Sequence, residues 1–96
     1  MRQLRLPVEA MNDPDAREIL RVWSSGDNQG FAFDLNVWTD PAVWGLLLVD
    51  LAPHVAKGHS ERHGGGPATA LSRTKAGFDA EWANPTGAST VPAGQD

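Results

Sequence analysis

The sequence contains no cysteine, and its 96 residues include only 8 lysines and arginines against 12 aspartates and glutamates. Without cysteine the chain has neither disulfide bonds nor thiolate metal sites, which fits a reducing compartment. A net charge of −4 is unlike that of nucleic-acid-binding domains, which usually present a basic stripe. We therefore expect a cytoplasmic protein with no nucleic-acid partner.

Long apolar segments are missing as well. The densest apolar run, Val43–Val49, is far shorter than the ~20 residues that a membrane span requires. The first seven residues lack the apolar region of a signal peptide. The sequence therefore predicts no membrane partner.

The chain does contain four tryptophans. Each buried aromatic ring removes roughly 150–250 Å² from water, so the rings can stabilise a small core. We predict a single globular domain over residues 1–85. Residues 86–96 are almost entirely Gly, Ala, Ser, Thr and Pro, and for this segment we predict a disordered tail.

The first half of the chain predicts two strands and a helix. Alternating apolar residues at 4–8 indicate a short strand, with an extended arm as the alternative. Asp13 followed by Pro14 is typical of a helix start, and helical spacing continues to Trp23. The alternation from Phe31 to Trp38 gives the clearest strand pattern in the sequence.

The second half predicts two helices. One begins after Asp40 and Pro41 and continues through Pro53 to about Arg62, and the other runs from Pro67 to Asn84. The expected fold class is α+β, in the order β-α-β-α-α. We expect three helices on one face of a very small, two-stranded sheet that a dimer would extend.

Two apolar stripes follow the first of these long helices. The stripe predicted to face the core contains Trp44, Leu47, Leu48, Leu51 and Val55. A stripe of smaller residues (Gly45, Val49, Ala52, Ala56) is predicted to meet the alanines of the last helix (Ala76, Ala80, Ala83). Glycine inside a helix suggests that another backbone approaches at Gly45. Trp23, Trp44 and Trp82 are predicted core residues.

Two motifs together resemble a known family. They are Asp40-Pro41-Ala42-x-Trp44-Gly45-Leu46-x-Leu48-x-Asp50-Leu51-Ala52-x-His54-Val55-Ala56 and Ala76-Gly77-Phe78-Asp79-Ala80-Glu81-Trp82-x-Asn84-Pro85. Over roughly residues 3–85 the chain is similar to DUF5076, a domain of unknown function found mainly in alphaproteobacteria. The resemblance implies a bacterial protein but neither an activity nor functional residues.

Candidate chemistry is sparse. Asp50 and His54 lie one helical turn apart, where a carboxylate could orient an imidazole for acid–base work or ligand binding. The alternative is a hydrogen-bonded pair on a solvated helix face. His59 and His63 make a metal site only with a third ligand, and we expect none. Trp38 falls on the outward face of its strand, either to contact a partner or to pack against a neighbouring helix.

The predicted function is a non-enzymatic interaction or assembly module. We expect a homodimer that pairs through the strand ending at Trp38, since an unpaired strand edge is a template for a second chain. We expect no cofactor, no metal and no catalytic residue. The alternative is a small-molecule-binding or enzymatic domain that uses Asp50 and His54 on the polar face of the second helix.

Overall fold

The computed structural model describes residues 1–86. They form α1 (Val8–Met11), β1 (Leu20–Ser25), β2 (Asn28–Phe33), α2 (Ala42–His63) and α3 (Pro67–Ala83). One compact unit contains Met1–Val37 with the first three elements, and a second begins at Trp38 and contains the two long helices. The prediction of one domain over residues 1–85 stays a prediction, and residues 87–96 of the predicted tail lie outside the described residues.

An antiparallel sheet of two strands, combined with helices, confirms the predicted α+β class. The element order is α-β-β-α-α, so the predicted order β-α-β-α-α is wrong in the first half of the chain. The second half, with its two consecutive helices, agrees with the prediction.

The predicted strand at residues 4–8 is absent from the structure. The chain instead makes the one-turn helix α1, in which the Pro7 carbonyl accepts hydrogen bonds from the amides of Ala10 and Met11. Pro7 favours this start because its fixed φ suits the residue that precedes a helix. Residues 1–6 fit the alternative of an extended arm, because they belong to no helix or strand and are exposed.

Strand β1 occupies the segment where the sequence predicted a helix. It pairs with β2 in antiparallel register, from Leu20 opposite Phe33 to Ser25 opposite Asn28. The two-residue connection begins with Gly26, whose φ of 61° suits the first central position of a type II′ turn. Cross-strand pairing therefore prevails over the helical spacing of the apolar residues.

Asp13 does not cap a helix. Its side chain accepts a hydrogen bond of 2.9 Å from the Asp15 amide, which closes a local Asx turn. Glu18 and Arg21 form an i,i+3 ion pair at the start of β1. Hydrogen bonding and the negative charge of Glu18 raise the pKa of Arg21 above its usual value.

Strand β2 begins at Asn28 and ends at Phe33, earlier than the predicted Trp38. The Asp34 side chain accepts a hydrogen bond of 2.9 Å from the Asn36 amide and turns the backbone away from the sheet. Asp34 also pairs with Arg17. The Asn36 amide and then the Arg17 guanidinium lower the pKa of the Asp34 carboxyl.

Helix α2 begins as the sequence predicts. The Asp40 side chain accepts a hydrogen bond of 3.0 Å from the Ala42 amide, and Pro41 has a helical φ of −57°. The helix is continuous through Pro53 to His63, which confirms one helix rather than two. It ends at Gly64, whose φ of 82° is accessible to glycine and whose amide donates to the Ser60 carbonyl.

Helix α3 starts with Pro67 at its first turn, also as predicted. Three residues separate it from α2, and the two helices contact each other as an antiparallel helical hairpin. Ala56 lies at their contact and is 1% exposed, while Ala52, Ser60 and Ala70 are half-buried. A Cβ atom added at Gly45 would meet no atom within 4 Å, so the predicted close approach of a backbone there is wrong.

Candidate functional site

Asp50 and His54 lie one turn apart on α2, as the sequence predicts, and both are exposed. Within residues 1–86 neither side chain has a hydrogen-bond partner. A general acid–base pair depends on a partner that orients it and on a cleft that holds the substrate. In this geometry the pair remains a carboxylate and an imidazole in solvent.

Trp38 lies just before α2 and is half-buried. Its ring packs edge-to-face on that of Trp44, with centroids 5.0 Å apart and an interplanar angle of 77°. This T-shaped geometry is favourable for aromatic pairs. Trp38 therefore contributes to packing at the first turn of α2, and part of its ring remains available to a partner.

His59 and His63 come together at the end of α2. Their ring centroids are 4.5 Å apart at an angle of 41°. Across residues 1–86, no group of three or more histidine, cysteine, aspartate or glutamate side chains is arranged to hold a metal ion. The two rings can stack or offer two nitrogen ligands, which is short of the three or four that a protein zinc site uses.

A groove of about 400 Å³ lies between α2 and α3 near their connection. Val55 and His59 line it from α2, and Thr69 and Arg73 line it from α3, with the three connecting glycines at one end. The groove is open to solvent and carries one guanidinium and one imidazole. We call the side of the helical hairpin that carries these lining residues the groove face.

The opposite face of the hairpin presents large apolar side chains to solvent. We call the set Leu46, Val49, Phe78 and Trp82 the helix-pair patch; their exposed fractions are 62%, 69%, 50% and 78%. Helical spacing places Leu46, Phe78 and Trp82 across the α2–α3 contact from the groove face, and Val49 at the edge of that contact beside Leu46. The rings of Phe78 and Trp82 stack with centroids 5.7 Å apart. The prediction that Trp82 lies in a core is therefore wrong.

The predicted core stripe of α2 is also largely open. Leu48, Leu51 and Val55 are 48%, 44% and 50% exposed, while Trp44 and Leu47 are half-buried. The reason is that α3 contacts the side of α2 that carries Ala52 and Ala56. The two apolar stripes of α2 already indicated that this helix needs more than one partner.

No helix among residues 1–86 has both the length and the hydropathy needed to span a bilayer. Within the described part of the chain, the features with a defined geometry are thus the groove, the Trp38–Trp44 pair and the helix-pair patch. The patch is the largest apolar feature among them.

Comparisons with known proteins give one family and a solved relative. No curated protein matches the chain. A solved structure, described as "Structure of a putative pyruvate dehydrogenase from the photosynthetic bacterium Rhodopseudomonas palustrus CGA009", is 34% identical and superposes with a TM-score of 0.73. The alignment covers 99% of this chain and 97% of that one. The sequence also matches a family described as "Domain of unknown function (DUF5076)" over residues 3–86, and the chain therefore belongs to the DUF5076 family.

Proposed function

We propose that this chain is a non-enzymatic assembly module that works as a homodimer. The observation that supports this function is the apolar exposure of α2 and α3. Eight large apolar side chains on these helices are 37–78% exposed: Leu46, Leu48, Val49, Leu51, Val55, Leu71, Phe78 and Trp82. At on the order of 100 Å² for a fully exposed aliphatic side chain and roughly 200 Å² for an aromatic one, they present roughly 600 Å². The part of this area that lies together on one face of the hairpin falls in the range of roughly 300–600 Å² found for apolar patches that are often functional.

The β-hairpin gives a second reason to expect association. Within the described residues β1 and β2 pair only with each other, so each strand keeps one open edge. Isolated two-stranded hairpins are marginal in water, and unpaired edges accept strands from other chains. Pairing of β2 with its copy would extend the sheet to four strands, which is the dimer that the sequence predicts through this region.

Light scattering across a concentration series tests the assembly function. We expect a mass twice the 10.3 kDa of one chain at micromolar concentration, with dissociation on dilution. The melting temperature should also rise with protein concentration, because association stabilises the folded state by mass action. A mass of one chain and a concentration-independent melting temperature would contradict the proposal.

The description of the R. palustrus structure favours a second candidate function, the binding of a 2-oxo acid such as pyruvate. On this chain the candidate contacts are Asp50 and His54, with an N–H of the imidazole donating a hydrogen bond to the ligand carboxylate. A ligand that binds the native state raises its melting temperature. A rise with pyruvate that is absent with acetate and abolished by His54→Ala would support this candidate, and equal melting curves would exclude it.

A further inference from the structure

We propose that the helix-pair patch is the surface through which two copies of this chain meet. In this dimer each copy contributes one α2–α3 hairpin, and the two hairpins pack face to face as a four-helix bundle. The inference rests on the proposed assembly function and places its interface on the helices, as the alternative to the β2 edge.

The patch has the anatomy of an interface centre. Its most exposed member, Trp82, stacks on Phe78 one turn earlier on the same helix, so the two rings form one aromatic cluster. Leu46 and Val49 extend that surface onto α2. Tryptophan is enriched among the residues that dominate binding energy, and large clustered rings pack well against a copy of themselves.

The area of the patch suits a stable dimer. From the exposed fractions, its four side chains present roughly 400 Å² of apolar surface. A standard interface buries about 800 Å² per partner, of which somewhat more than half is apolar. The patch alone therefore supplies most of the apolar area that one partner needs, and polar side chains around it supply the remainder.

The charges around the patch favour an identical copy over a strongly charged partner. Asp50 and Lys57 flank it on α2, and on α3 Lys75 and Asp79 form an exposed ion pair of 2.6 Å. A two-fold interface brings the same surface to both sides, so its rim must contain charges of both signs. Charges of both signs are present in this rim on each of the two helices.

A matched pair of variants on α2 tests the location. Leu46→Glu places a charge in the patch, while Leu48→Glu places the same charge on another side of the same helix at similar exposure. We expect Leu46→Glu to reduce the mass by light scattering to that of one chain, at concentrations where the wild type and Leu48→Glu are dimers. Circular dichroism establishes that each variant retains its helices.

Cross-linking gives a second measurement if a glutamate variant fails to fold. Because the chain has no cysteine, a single introduced thiol reacts alone. With a flexible bis-maleimide, Asp79→Cys at the rim of the patch should yield a covalent dimer, whereas Arg73→Cys on the groove face should not.

Each result of the light-scattering and cross-linking experiments tests either the assembly function or the location of the interface. Monomeric wild-type protein overturns both the assembly function and this interface. A dimer that persists in Leu46→Glu, or that cross-links equally from positions 79 and 73, overturns the helix-pair patch but leaves the assembly function standing. Loss of the dimer in Leu48→Glu with retention in Leu46→Glu places the interface on the other side of α2 and likewise overturns the proposal.

Discussion

Replacement of Gly45 by alanine should stabilise the protein. Gly45 lies in the first turns of α2 with helical backbone geometry, and a Cβ atom built there meets no atom within 4 Å. Alanine therefore restricts the unfolded chain and favours the helix without a steric penalty in the folded state. This expectation opposes the sequence-based idea that a small residue is required at this position.

The magnitude follows from helix propensity. Glycine in a helix interior is about 0.8–1.0 kcal/mol less favourable than alanine. In a domain of this size, 1 kcal/mol shifts the melting temperature by roughly 4–8 °C. Thermal denaturation followed by circular dichroism at 222 nm, combined with urea unfolding, would measure both quantities.

Two glycines serve as controls. Gly58 lies on the same helix and is equally open, so Gly58→Ala should give a similar increase in the free energy of unfolding. Gly64 has a φ of 82°, which strains any residue with a Cβ atom, so Gly64→Ala should decrease it. If Gly58→Ala stabilises the protein while Gly45→Ala destabilises it, a neighbouring backbone contacts Gly45 and our reasoning fails.

Three further variants test packing and electrostatics. Pro53→Ala should stabilise the protein by up to ~3 kcal/mol in urea unfolding, because it allows the missing hydrogen bond to the Val49 carbonyl within the continuous α2. Destabilisation would show that the folded structure requires proline at this position. Ala56→Leu should lower the free energy of unfolding by about 1–3 kcal/mol, because this fully covered side chain lies between the two helices; a neutral result would place the contact elsewhere. Asp34, whose pKa is lowered in the folded state, should stabilise the protein above its unfolded-state pKa, with that stability lost as pH falls through the lowered value. Asp34→Asn should therefore show a smaller decrease in melting temperature between about pH 5 and pH 2 than the wild type, and equal decreases would mean that the pairing with Arg17 contributes nothing.

Local signals in the sequence were sufficient for the two long helices. Asp40 and Pro41 specify the start of α2, because an aspartate cap and a fixed proline φ act within a few residues. Pro67 does the same for α3, and the glycines before it permit the reversal of the chain. These determinants are local, so they can be recognised without knowledge of the rest of the fold.

The segment from Asp13 to Ser25 shows where local signals failed. Its apolar spacing fits a helix, but Leu20–Ser25 pairs with β2, and strand pairing depends on the residues of both strands together. The two-residue Gly26–Asp27 connection was the available sign of a hairpin. At this site the cross-strand hydrogen bonds decided the structure.

For the candidate sites, too, some features follow from the sequence and others only from the tertiary structure. The sequence by itself determined that Asp50 and His54 share a helix face and that α2 is apolar on several sides, because helical periodicity fixes which residues are neighbours. Only the tertiary structure decided which side is covered. Helix α3 contacts the line of Ala52 and Ala56, where small side chains allow the helix axes to approach, and the large residues on the remaining sides, Trp82 of α3 among them, are left exposed.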